Sequence, residues 1–330
     1  MDEVGIATLL ASTLRVSVPL ILCALAGLLS ERSGVIDLGL EGKMLLAAFA
    51  AGSAGAVSGS IALALFAALV VGVMLSMLHG YACVSHRGDQ VVMGMAITMT
   101  AAGLTVVLGI AWFQQGGQTP PLPDAVRLSN WFVGGTAALN EVPLVGPLIA
   151  PLIGLGLLGH NFFVYLSLAL VPALWWLLFR TRFGLRLRAA GENPAMLDAA
   201  GASVVKLRYA ALAGNGALAA LAGAYLVLAQ NPSFIPHMTA GRGYMALAAM
   251  IFGKWRPLGA LWACLLFGFL DAVSIRLQGA ELPAYFFGGG AVPVQAIQAL
   301  PYVLTVVLLA GFIGRAVAPK ALGRPYVKDR

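Results

Sequence analysis

The chain has 330 residues, 60% of them hydrophobic and 10% charged, with a formal net charge of +7 and a mean hydropathy of +0.90. A water-soluble domain of this length carries about a quarter charged residues because its surface must be solvated, so lipid has to be the solvent for much of this chain. The basic excess falls in short gaps between apolar runs and not on a polar domain, which argues against nucleic acid as a partner.

Met1, Asp2 and Glu3 lead straight into apolar sequence, with no basic leader and no small-residue cleavage site, so no cleavable signal is expected. A spanning helix needs about 20 mostly apolar residues. On that measure the sequence predicts nine spans: Ile6–Leu29, Val35–Val57, Ile61–Val84, Val91–Trp112, Asn161–Phe179, Leu207–Ala229, Gly243–Phe252, Leu258–Ile275 and Val294–Ile313. The seventh is short and has to be tilted, broken or longer at its polar N-terminal end. Val142–Leu158 is apolar but carries Pro143, Pro147 and Pro151, and reads as a re-entrant or surface segment. The expected architecture is an all-α integral membrane protein of about nine transmembrane helices, range eight to ten, in a single domain over residues 1–330.

Lysine and arginine set the orientation. The richest gap holds Arg180, Arg182, Arg186, Arg188, Lys206 and Arg208, which places loop 180–206 in the cytoplasm. Each span flips sides, so the gaps at Arg32, at Arg87 and at Lys254 and Arg256, and the tail Arg315–Arg330, also fall inside. The long gap 113–160 then lies outside with Arg127 as its single basic residue besides histidine, and the other outer gaps hold Arg242 and Arg276. This puts the N-terminus outside and the C-terminus in the cytoplasm.

Within loop 180–206, Asn193 is a good N-cap, Pro194 a good first helical residue and Gly201 a good stop. Pro194–Ala200 should therefore form a helix of about two turns, too short to persist alone. Its apolar Met196 and Leu197 need a surface to pack on. A capped helix on the cytoplasmic face, framed by arginines, fits a docking element for a soluble partner as well as it fits a plain inter-helix turn.

Asp271 lies deep in the eighth span, where an ionisable group faces a cavity or a partner; an internal pair with Arg15 is the expected reading, with a place on the translocation path as the alternative. Asp37, Glu41 and Lys43 sit near the inner end of the second span, where Gly34, Gly39 and Gly42 favour a break. A role at the inner gate, or in contacting the coupling loop, is expected for these three, with snorkelling of Lys43 to the interface as the alternative. Thr98, Thr100, Asn215, Gln230 and Asn231 could bond a polar substrate or bridge helices. Cys23, Cys83 and Cys264 lie in apolar segments, and His79, His86, His160 and His237 are dispersed. No metal-ligand spacing and no catalytic constellation is readable.

The loop from Arg180 to Ser203 resembles the coupling-helix loop of ABC importer permeases. The stretch Glu31–Met44, ending in Gly-Leu-Glu-Gly-Lys-Met, resembles the region joining the first two conserved helices of the branched-chain amino acid and simple-sugar permease family, in the form of its nucleoside branch. Gly241–Gly259 and Pro319–Lys328 resemble the same branch. The resemblance implies a type II importer permease that carries nucleosides or related ribosides, with ribose, other simple sugars or branched-chain amino acids as alternatives. It implies coupling through Glu192, Asn193, Pro194, Ala195, Met196, Leu197, Asp198, Ala199, Ala200 and Gly201. It also implies an ABC ATPase subunit, a second and related permease, an extracytoplasmic binding protein and a bacterial inner membrane. No G-x-x-x-x-G-K-[ST] loop occurs, so no cofactor is expected on this chain; ATP and magnesium belong to the ATPase partner. An ion-coupled secondary transporter would need paired intramembrane charges or inverted repeats, for which Asp271 with Arg15 is the one candidate.

Overall fold

The computed structural model describes residues 3–128, 159–277 and 317–327, with Ala299, Val303 and Val307 between them. Among these residues the protein is built of helices: α1 (Glu3–Arg32), α2 (Leu40–Ser58), α3 (Ile61–Gly80), α4 (Gln90–Phe113), α5 (Phe162–Arg180), α6 (Arg182–Glu192), α7 (Pro194–Ala199), α8 (Val204–Tyr225), α9 (Arg242–Phe252) and α10 (Pro257–Leu277). Seven of them are long and apolar enough to cross a membrane, and α9 is a shorter apolar helix. They match the first eight predicted spans. The ninth, Val294–Ile313, lies outside the described residues except for three positions, as does Val142–Leu158.

Helices α1, α2 and α8 form the buried centre, and α3, α4, α5 and α10 pack around them with apolar outer faces such as Phe66, Met74, Met99, Val107 and Trp262 left exposed. Between membrane helices close approach replaces the hydrophobic effect as the source of affinity. Gly72 of α3 and Gly216 of α8 show the consequence: a Cβ on Gly72 would stand 2.5 Å from the Gly216 carbonyl oxygen, so any side chain would push these two helices apart.

Pro19 inside α1 removes an N–H and leaves the carbonyl of Arg15, four residues earlier, without its helical donor. The hydroxyl of Tyr225 and the Nε2 of Gln230 each donate to that oxygen at 2.9 Å. Gln230 belongs to a π-helical turn, Leu226–Gln230, that extends α8. A proline in one helix is thus answered by polar groups of another, as lipid would demand. A second π turn, Tyr81–Ser85, ends α3.

Two features differ from the sequence-based expectation. The second span begins at Leu40, because Ser33–Gly39 is not helical. Helix α6 was not anticipated: it is amphipathic, too polar to register as a span, and Thr181 caps it by accepting from the N–H of Gly184 at 3.1 Å.

The basic gaps meet in two groups. Arg32 donates to the carbonyl of Trp255 between α9 and α10 through Nε at 2.9 Å and Nη2 at 2.6 Å, and the tail bonds both the Ser33–Gly39 segment and α6. Arg87 shares a cavity with Asp198 and Tyr326. At the opposite end Arg15, Arg127, Arg242 and Arg276 line one cavity of about 950 Å³. The described part of the 113–160 loop packs there too, with Leu128 bonded to Leu228 and Leu122 to Pro232.

Candidate coupling and gate site

After Arg32 the chain turns sharply and runs through Ser33–Gly39 before α2 begins. Such a break frees backbone groups that protein has to satisfy. The N–H of Ile36 donates to Gln90 Oε1 at 2.7 Å, and the N–H of Gly39 donates to Asp37 Oδ1 at 3.0 Å. On the acceptor side, Ser33 takes a bond from Arg208 Nε and Gly34 one from the N–H of Gly323.

Asp37 is fully buried, and so is its partner: Lys43 Nζ lies 2.5 Å from Asp37 Oδ2. Lys43 also donates to Asn215 Oδ1 at 3.1 Å. Lys43 therefore does not snorkel; six residues beyond Asp37 on the first turns of α2, it points inward and closes the break onto α8. Asn215 Oδ1 accepts a second bond from Ser76 at 3.0 Å, and its Nδ2 donates to the Ala26 carbonyl at 3.0 Å and to Ser30 Oγ at 3.3 Å. His79 Nδ1 stands 3.5 Å from Asp37 Oδ1. One buried polar cluster thus joins α1, the break, α2, α3 and α8. The sequence singles out Asp37 and Asn215, but it gives Ser76 no role and counts His79 only among the dispersed histidines, since their partners lie on other helices.

Glu41, the second acidic residue of the break region, reaches a different target. Its Oε1 accepts from the N–H of Gly241 at 2.8 Å and its Oε2 from the N–H of Gly243 at 2.6 Å. Both groups belong to the start of α9, where unpaired N–H groups and the helix dipole favour a carboxylate. Glu41 is the cap of the short seventh span. Just beyond the other end of α9, Trp255 Nε1 donates to Glu31 Oε2 of α1 at 2.6 Å. Thr98 is half-buried beside Gly42 and donates to the carbonyl of Gly94 within its own helix. Thr100 lies on the exposed face of α4.

The expected pair of Asp271 with Arg15 does not form. Asp271 is half-exposed on α10, and the charge that acts on it is Arg242, at the start of α9. Arg15 points into the outer cavity and contributes its backbone carbonyl, not its side chain, to the helix contacts just described. The two helices are in contact, but these side chains are not partners, which spacing along the sequence could not reveal.

The segment from Glu192 to Gly201 folds as its cap signals predict. Asn193 Oδ1 accepts from the N–H of Met196 at 3.1 Å, Pro194 opens α7, and Gly201 follows its end with a φ of +81°. Leu197 is buried in a cluster with Ala190 and Val204, whereas Met196 is 70% exposed. Glu192, Asn193, Ala195, Ala199 and Ala200 are exposed as well, with Asp198 half-buried. The helix is anchored by one apolar residue and presents the other outward, and the preceding α6 likewise exposes Arg182, Leu185 and Arg186. His79, His86, His160 and His237 form no metal cluster with other ligands among the described residues.

Comparison with known proteins extends this picture. The chain is 37% identical to the guanosine ABC transporter permease protein NupQ of Bacillus subtilis, over the whole of both chains. It is 36% identical to the nucleoside ABC transporter permease protein NupC of Lactococcus lactis subsp. cremoris, covering 98% of this chain and 97% of that one. It is also 33% identical, over 98% of each chain, to TsgC13 of Haloferax volcanii, whose provisional name is glucose ABC transporter permease protein. No solved structure matches it significantly. The family model for the permease component of branched-chain amino acid transport systems matches residues 9–316, and the chain belongs to that family of membrane permeases.

Proposed function

We propose that this permease subunit of an ABC importer carries nucleosides, or related ribosides, inward across a bacterial inner membrane. The observation that carries the substrate class is similarity over the full length to two relatives whose names specify guanosine and nucleosides. A sugar is the competing cargo, supported by the relative named for glucose. Uptake of labelled guanosine by a strain lacking this chain, with and without its return, tests the choice. Restored uptake that excess adenosine or cytidine suppresses and excess glucose does not supports the nucleoside reading; the reverse pattern discards it.

In this reading the chain has nine spans in one domain, residues 1–330, with the N-terminus outside and the C-terminus in the cytoplasm. The convergence of the most basic gaps at one end supports that sidedness. Helix α7 with its flanks, Glu192–Gly201, contacts a separate ATPase subunit that holds ATP and magnesium, and this chain binds no cofactor. The feature supporting this is exposed Met196 on a helix whose caps and buried Leu197 fix its position. A second, related permease completes the path, and an extracytoplasmic protein delivers substrate. The buried cluster of Asp37, Lys43 and Asn215, bonded to one another, and the Glu41 cap, bonded to Gly241 and Gly243, hold the inner gate as joints between helices. Thr98 and Asp271, both half-buried, have polar surface to offer a passing substrate.

A further inference from the structure

Residues 317–327 lie against the coupling end of the molecule and close a ring of bonds there. Ala321 donates its N–H to the carbonyl of Gly191, near the end of α6, at 2.8 Å, and Gly323 donates to Gly34, in the break, at 3.1 Å. Arg208, in the second turn of α8, donates Nε to the carbonyl of Ser33 and Nη1 to that of Arg324, each at 3.2 Å. Arg208 is 1% exposed and forms no ion pair with an acidic side chain among the described residues. An uncompensated guanidinium is an expensive residue to bury, and a packing role needs none; what arginine adds is a rigid fork of donors able to hold two carbonyls at once. Gly34 is shaped to receive it. Its φ is +92°, and a Cβ there would lie 2.9 Å from Arg208 Nη2 and 3.2 Å from the carbonyl of Ala321. Tyr326 packs against the apolar cluster of Ala190, Leu197 and Val204 that seats α7, and three residues after Gly34 the break reaches Asp37.

We propose that Arg208 and the tail form a clasp that makes the coupling segment and the break move as one body, so that Arg208 is a positioning residue for transport. The clasp rests on the reading of α7 as the ATPase contact and adds the route beyond it. Displacement of α7 is transmitted through α6 and the tail to Ser33 and Gly34, and from them to the buried Asp37–Lys43 pair.

The test uses the whole transporter in proteoliposomes, with guanosine and the loaded binding protein supplied. The quantity read is guanosine imported per ATP hydrolysed. Arg208→Met, and truncation after Lys320, should leave the ATPase subunit bound and hydrolysing while lowering that ratio at least tenfold, and Arg208→Lys should recover part of it. An unchanged ratio in both variants, or uptake and hydrolysis falling in equal proportion, overturns the clasp. Should Arg208→Met fail to accumulate in the membrane, the truncation decides, because it leaves every spanning helix intact. Met196→Asp in the same preparation reports on the underlying reading. If that variant keeps its ATPase subunit and full uptake, the α7 contact itself is wrong; if it loses the subunit while the other two variants behave as wild type, only the clasp is.

Discussion

Replacing Lys43 by Met removes one partner of a buried ion pair and leaves the other in place. In the intact protein Asp37 has the ammonium at 2.5 Å, the N–H of Gly39 at 3.0 Å and His79 at 3.5 Å, with no solvent access. Truncating one member of a buried pair costs about 3–5 kcal/mol, because the remaining charge is stranded without its counter-ion. One feature puts Lys43→Met toward the lower end of that range: the Gly39 N–H stays bonded to the carboxylate. Asn215 also keeps the Ser76 hydroxyl on its Oδ1. Removing both charges, with Asp37→Asn added, should recover most of the loss, since a neutral pair of similar volume is often no less stable than a buried salt bridge.

Reversible unfolding in mixed detergent micelles, followed by tryptophan fluorescence, measures each corner of that double-mutant cycle. The expected coupling between the two substitutions is about 2 kcal/mol or more, near the upper end for residues in contact. A Lys43→Met protein within about 1 kcal/mol of wild type would mean that the pair is not the joint described here. A double variant no more stable than Lys43→Met would be equally damaging, because the cost then lies in lost packing and not in a stranded charge.

Glu41→Ala leaves the N–H groups of Gly241 and Gly243 without acceptors, at about 1.5–3 kcal/mol for bonds to a charged group; Glu41→Gln keeps one acceptor oxygen and should lose less. Equal losses in the same micelle assay would refute the capping role. Gly72→Val drives a side chain into the Gly216 backbone, and overpacking of this kind costs about 1–3 kcal/mol; an unchanged melting temperature in detergent would contradict the close α3–α8 contact. Tyr225→Phe removes one of the two donors to the Arg15 carbonyl, a loss of about 0.5–1.5 kcal/mol. Adding Gln230→Ala should cost more than the sum of the two single changes, because only then is the carbonyl bare; strict additivity would argue against the shared acceptor.

What could be read from the sequence follows from how far each signal reaches along the chain. A span is a local property of about 20 residues, so the first eight predicted spans coincide with helices even where their ends moved. Caps are equally local: Asn193, Pro194 and Gly201 delimit α7 within one residue. Helix α6 escaped because its apolar face is a narrow stripe on a polar segment, invisible to a search for long apolar runs. The polar cluster escaped for a different reason. Asp37 and Lys43 are six residues apart and could be paired by eye, but Asn215 is 172 residues from Lys43 and Arg208 is 175 from Ser33. No periodicity encodes such partners, so a lone Ser76 or His79 reads as an isolated exception in an apolar helix. The misassigned Arg15–Asp271 pair shows the same limit from the other side: two charges in apolar helices invite pairing, yet Arg15 lines the outer cavity and the charge nearest in effect to Asp271 is Arg242. In a membrane each unmatched polar group demands a partner; the sequence shows the demand, and only the packing of α1, α2, α3 and α8 shows which partner meets it.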